Sequence, residues 1–163
     1  VERIALLNTA TSAGTQNERF AREAMLKKAL TQGSVVIARE VLLPSLHPGN
    51  RQDRQITGAI MEMVERLSPQ YLERQFAAMV NRPDSTDVLA MIDVPAMILF
   101  SHDDRNLPFE RHGEMAARVR TGKLVLIEDC GHMSPLEQPK LVTRALEEWM
   151  ARPVTRKAEK VAI

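Results

Sequence analysis

Thiols are almost absent from this chain: Cys130 is its single cysteine. That excludes an intramolecular disulfide and fits a reducing compartment, so a cytoplasmic setting is expected. Aromatic side chains are also scarce, at 4% against nine methionines, so packing is expected to be mostly aliphatic. Net charge is close to nil. The 22 basic and 21 acidic groups leave +1 at pH 7, which gives no field to steer nucleic acid or an anionic membrane toward the protein. No apolar run approaches the length of a bilayer span, and no signal-peptide pattern opens the chain. Glycine-rich phosphate cradles, basic–aromatic interleaving, internal repeats and low-complexity segments are missing as well. No nucleic-acid or membrane partner is expected.

What remains is an ordinary globular composition, 44% apolar and 26% charged, in 163 residues, enough for one domain with a real core. Ile4 to Leu7 is a short apolar run ending at Asn8 and Thr9, the pattern of a buried parallel strand. Thr15-Gln-Asn-Glu18 has capping-box spacing and predicts a helix to about Gln32, with Gly33 as its left-handed stop. Ser34 is placed to cap a second helix through Val35, Ile37, Val41 and Leu42 that breaks at Pro44, and Pro44 to Asn50 has the composition of a loop. From Asp53, the three-and-four spacing of Ile56, Ile60, Met63, Val64 and Leu67 predicts an amphipathic helix. Ser68-Pro69 opens another through Leu72, Phe76, Met79 and Val80. Asp84 can cap a short helix through Val88, Leu89 and Ile92.

The stretch from Val94 to Gln138 concentrates the chemistry. Its run Val94 to Phe100 predicts a strand, followed by the polar cluster Ser101-His102-Asp103-Asp104-Arg105-Asn106-Leu107-Pro108. A helical pattern and a second apolar run, Lys123 to Ile127, lead to Glu128-Asp129-Cys130-Gly131-His132-Met133-Ser134-Pro135. Strand, acidic loop, helix, strand and histidine loop put an acid and a histidine at the same ends of two parallel strands, where sites in open parallel sheets gather. Asp104 and His132 are the candidate pair: a carboxylate that holds an imidazole for acid–base work. Gly131 is expected to supply backbone freedom in the histidine loop. Cys130 is read as loop filler rather than nucleophile. His47 and His112 are read as surface residues, and Met61, Met63 and Met79 as helix packing. A metal site built from His102, Asp103, Asp104, Asp129 and His132 matches no local ligand signature, so none is expected. A last helix starts near Pro139 through Leu141, Val142, Ala145, Leu146 and Trp149, and residues 151–163 read as a solvated tail.

Pro95-Ala-Met-Ile-Leu-Phe-Ser-His-Asp-Asp104-Arg-Asn-Leu-Pro108 and Glu128-Asp-Cys-Gly-His132-Met-Ser-Pro-Leu-Glu-Gln-Pro139 together resemble the C-terminal part of the α/β-hydrolase superfamily. The resemblance implies a sixth strand at Ile4 to Asn8, and seventh and eighth strands carrying the triad acid Asp104 and the triad histidine His132. It also implies that residues 14–83 form a helical cap inserted into a partial core of residues 1–13 and 84–150. Where the family often has glycine, this chain has Ser101. The implied fold is α/β, with about three parallel strands and flanking helices, and the implied substrate is a small apolar carboxylic ester, thioester or lactone. No cofactor is implied.

The same comparison exposes a gap. The family's nucleophile sits in G-x-S-x-G, and Ser12, Ser34, Ser45, Ser68, Ser85, Ser101 and Ser134 all lack the flanking glycines. A chain beginning at Val1, on the approach to a strand, is therefore expected to be the C-terminal piece of a serine hydrolase, inactive alone. Its first strand would offer an unpaired apolar edge, a site of self-association. Two other readings stay open: a small α/β binding module that was never catalytic, and a dehalogenase-like enzyme whose nucleophile is an upstream Asp.

Overall fold

The fold was analysed in a computed structural model that describes residues 1–107 and 109–154. The Pro108 end of the acidic cluster and most of the expected tail, from residue 155 on, lie outside the described residues. Three strands, β1 (Ile4–Leu7), β2 (Ala96–Ser101) and β3 (Gly122–Ile127), form a parallel sheet in the order β1-β2-β3. Ala5 stands beside Met97, and Leu99 beside both Leu7 and Val125. Every residue of β2 is buried, as expected of a central parallel strand covered on both faces. The outer edge of β1 pairs with no strand among the described residues.

Alternation along the strands divides the core into two layers. Met97, Leu99 and Ile127 point to one face with Ala5, Leu7 and Val125, where Val142, Ala145, Leu146 and Trp149 of helix Pro139–Met150 cover them. Ala96, Ile98 and Leu6 point to the other face. They meet Met115 and Val119 from helix Phe109–Arg118 and its end, and Leu89 from the short turn Asp87–Met91. His112 lies on that same inward stripe. It is 1% exposed, and its ring stacks on Phe100 with centroids 5.3 Å apart, so the surface position expected for it is wrong. The spacing 112, 115, 116, 119 carries the signal: a histidine in phase with an apolar helical face is drawn in with that face.

A third cluster belongs to the helical segment between β1 and β2. Helix α1 (Gln16–Gln32) opens on the expected capping box, with Thr15 Oγ1 accepting from Glu18 N–H and Glu18 Oε2 accepting from Thr15 N–H. Gly33 follows with φ 91°. Helices α2 (Arg54–Glu65) and α3 (Pro69–Val80) are capped by Asp53 and Ser68, as their sequences predict. Ile60, Val64, Leu72 and Phe76 pack with Ala29, Val36, Ile37, Ala38 and Leu46. Met61 joins this cluster, but Met63 and Met79 are exposed and add little to it. The second predicted helix is not regular. Val35–Ile37 passes into a π-helical turn, Ala38–Leu42, and a 3-10 turn, Leu43–Ser45, that absorbs Pro44. Lacking an N–H, Pro44 cannot continue an α-helical ladder, and the altered winding carries the chain past it.

Asp84 does not cap a helix; its carboxylate accepts from Thr86 N–H two residues on, an Asx turn. At the base of the sheet, opposite the loops, Trp149 Nε1 donates to Pro95 O. Arg152 there donates to Ala96 O and Thr121 O.

Candidate active site

The ends of the three strands are stitched together beyond the strands themselves. Asn8 N–H donates to Leu99 O, His102 N–H to Ile127 O and Asp103 N–H to Cys130 O, each at 2.9–3.0 Å. The acidic loop after β2 and the histidine loop after β3 are thus held in register as a continuation of the ladder. Asp104 and His132 meet there, with Nδ1 of His132 2.8 Å from Oδ2 of Asp104. The Asp104 side chain is fully buried, while that of His132 keeps about a quarter of its surface exposed. A carboxylate facing Nδ1 assigns the proton to that nitrogen, leaving the Nε2 lone pair available to accept one. No hydroxyl or thiol among the described residues hydrogen-bonds Nε2.

The carboxyl of Asp104 lies below its ordinary value. Burial taken alone pushes it upward, but the hydrogen bonds from His132, Asn8 and the Asn106 N–H, with the charge of the imidazole, outweigh burial. Oδ1 accepts from the N–H groups of Asn106 and Leu107 at 2.9 and 3.1 Å. Oδ2 accepts from Asn8 Nδ2 at 3.0 Å in addition to the imidazole. Asn8 adopts φ 43°, a left-handed conformation that asparagine tolerates better than most residues.

Cys130 is completely buried beside Ser101, whose hydroxyl donates to its sulfur at 3.3 Å. Burial, with the negative charges of Glu137, Asp104 and Asp103, pushes the thiol up to about 11. It is therefore protonated at neutral pH, inaccessible, and unsuited to nucleophilic attack, in keeping with the filler role expected of it. Gly131 is required for a different reason from the one its sequence context suggested. Its φ is not in the left-handed region, but a Cβ there would sit 2.4 Å from Ser45 O and 2.5 Å from His47 N. The histidine loop is pressed against the backbone of the 44–50 loop, and His132 N–H donates to Ser45 O at 3.0 Å.

Glu137 completes this junction, and sequence reasoning gave it no role. Its Oε2 accepts from His47 N–H at 2.7 Å and Asn50 Nδ2 at 2.9 Å, and its Oε1 accepts from Met133 N–H at 3.1 Å. An acid two residues before the helix that starts at Pro139 was the available signal, but its partners come from a loop some 90 residues earlier. His47, expected at the surface, is partly buried here. Its Nδ1 accepts from Gly49 N–H, and its Nε2 lies 3.8 Å from Asp103. His102 approaches the same Asp103 carboxylate at 3.4 Å. The five residues weighed as a metal cluster are therefore divided, with Asp104 and His132 together and Asp103 facing His47 and His102. No group of three or more His, Cys, Asp or Glu among the described residues could hold a metal ion. A pocket of about 220 Å³ opens nearby between the loop after β1 and helix Phe109–Arg118 (α4), lined among others by Thr11, Thr86 and Arg118, but not by Asp104 or His132.

A buried acid thus holds a partly exposed histidine at the carboxyl ends of neighbouring parallel strands. The model of the alpha/beta hydrolase family matches residues 6–145, and the chain belongs to that family. Among solved structures, a thermophilic esterase from Thermogutta terrifontis superposes with a TM-score of 0.87 at 28% identity over 94% of this chain. An enol-lactonase from Burkholderia xenovorans superposes with a TM-score of 0.78 at 21% identity over 93% of the chain, a likeness of fold. A bifunctional esterase/perhydrolase from Acinetobacter calcoaceticus is 33% identical over 67 residues, which is 40% of this chain and 24% of that protein. The chain spans 57% of the length of each of the two solved structures. No described helix is long and apolar enough to cross a membrane.

Proposed function

We propose that this chain supplies the acid and the histidine of a carboxylic-ester hydrolase, Asp104 as orienting carboxylate and His132 as general base and then general acid. The observation that carries the reading is the 2.8 Å contact between His132 Nδ1 and the buried, ionised Asp104 carboxylate. With Nδ1 protonated, Nε2 takes the proton of an attacking serine hydroxyl as its oxygen bonds to the ester carbonyl carbon. Asp104 stabilises the imidazolium that results. The same proton then passes to the leaving alkoxide as the tetrahedral intermediate collapses, and water repeats the cycle to release the acid. The serine and the N–H groups that hold the oxyanion come from outside residues 1–163, where no serine stands in G-x-S-x-G. The helical segment 14–83 acts as a cap, and an apolar ester or lactone is the substrate class favoured by the similarity to an esterase and an enol-lactonase. A purely binding role would give no use to a charged carboxylate buried behind an imidazole.

On its own the 163-residue chain is expected to leave a chromogenic short-chain ester unhydrolysed. Robust turnover abolished by His132→Ala would overturn the claim that its nucleophile lies elsewhere. When the reading frame is extended upstream of Val1, ester turnover is expected, and Asp104→Ala or His132→Ala should lower kcat by about 10³- to 10⁴-fold. Turnover in the extended protein that ignores both substitutions would refute the assignment of roles.

A further inference from the structure

Asn8 follows β1 directly, with every polar atom of its side chain engaged. One Nδ2 hydrogen goes to Ser101 Oγ and the other to Asp104 Oδ2, both at 3.0 Å, while Oδ1 accepts from Ser134 Oγ at 2.6 Å. Charge fixes which way the amide points: turned over, its oxygen would face a carboxylate oxygen, lone pair against lone pair. Asp104 therefore receives four donors on two oxygens, the N–H groups of Asn106 and Leu107 on Oδ1 and those of His132 and Asn8 on Oδ2. Those donors fill its lone-pair directions, so a proton on the carboxyl would have to displace one of them.

We infer that Asn8 is a positioning residue for the acid–histidine pair, its neutral amide keeping Asp104 ionised and its Oδ2 aimed at His132 Nδ1. A lysine in this place would hold the carboxylate charged but cancel the charge that an imidazolium needs. An aliphatic residue would leave one lone pair of a buried oxygen bare. The amide avoids both, because it donates without carrying charge. Through Asp104 it thereby fixes the tautomer that leaves Nε2 of His132 open. The other ionisable groups around this point are Cys130, neutral and hydrogen-bonded to Ser101, Asp103, which faces His47 and His102, and Glu137, bound to the N–H groups of His47 and Met133. The consequence for catalysis rests on the triad reading above, whereas the effect on Asp104 stands on these contacts alone.

The test is NMR on the whole 163-residue chain, following the Asp104 carboxyl carbon and the His132 Nδ1 proton across acid pH. Asn8→Gly keeps the left-handed backbone accessible and removes the amide with its contacts to Asp104, Ser101 and Ser134. In that variant Asp104 should titrate about one to two pH units higher, and the Nδ1 proton should exchange faster. A folded Asn8→Gly chain with an unchanged Asp104 titration would overturn the inference. The wild type provides a check that needs no variant: the Asn8 Nδ2 resonances should move with the titration of Asp104, and their failure to do so would equally refute it. Loss of the triad reading would look different, as ester turnover in the extended protein indifferent to His132→Ala, with both titrations intact.

Discussion

Between Gln16 and Val80 the chain is held by apolar helix faces, whereas at the carboxyl ends of the strands it is held by hydrogen bonds with little room for alternatives. In the first region Ile60, Val64, Leu72 and Phe76 supply a cluster whose exact members could be exchanged at modest cost. In the second, Asn8, Ser101, Asp104, His132 and Ser134 form a polar set in which each partner fixes the next. The two regions are not separate, however. Met133 and Leu136, just past the histidine, pack against the helical cluster, and Glu137 ties both loops together. The contrast teaches that the histidine is positioned from two sides, by a polar network in the sheet and by an apolar core in the helices.

The largest effect that could break this picture is a cavity in the helical cluster. Ile60 is completely buried, and Ile60→Ala should cost about 2–5 kcal/mol in urea unfolding. If the regions are coupled as described, the His132 Nδ1 proton signal is lost in the same transition as helical circular dichroism. A helical transition that leaves that signal in place would show two independent units. Gly131→Ala comes next, at about 1–3 kcal/mol by the same measurement, because its Cβ would meet backbone atoms and not a movable side chain. An effect within experimental error would mean that the 44–50 loop yields and does not brace the histidine.

The smallest effect sharpens the polar side of the contrast. Asp104 has its folded-state carboxyl below the ordinary value, so its contribution is full above about pH 4 and fades as pH falls through the folded-state value. Asp104→Asn should therefore be less stable than the wild type near neutrality, and the gap in urea midpoint should narrow at acid pH. A gap that is constant from pH 7 to pH 3 would show that the carboxylate's charge contributes nothing.

Much of this was legible before any coordinates. Parallel strands betray themselves as short apolar runs, and Asp53, Ser68 and the Thr15–Glu18 box mark helix starts because capping is decided within four residues. Asp104 and His132 could be picked out because both follow apolar runs on loops, and resemblance to a known pattern narrowed the choice between Asp103 and Asp104. What could not be read were partners far apart in sequence. Asn8 and Asp104 are separated by 96 residues, and Glu137 and His47 by 90, so no local spacing announces either contact. Gly131 looked like a turn glycine because sequence shows flexibility but not crowding. The winding around Pro44 and the inward turn of His112 escaped for a related reason, since both are settled by the layers packed against them.

The clamp at the opposite end of the sheet has a mechanical consequence. Arg152 grips the first residue of β2 and the residue before β3, and Arg3 in turn grips the carbonyl of Arg152. A pull on the chain from beyond residue 154 is taken up by these bonds before it reaches a strand. The six residues of β2 then separate that anchor from the histidine by roughly 20 Å. A surface tether attached on this side would load the base of the sheet and leave the acid–histidine end slack.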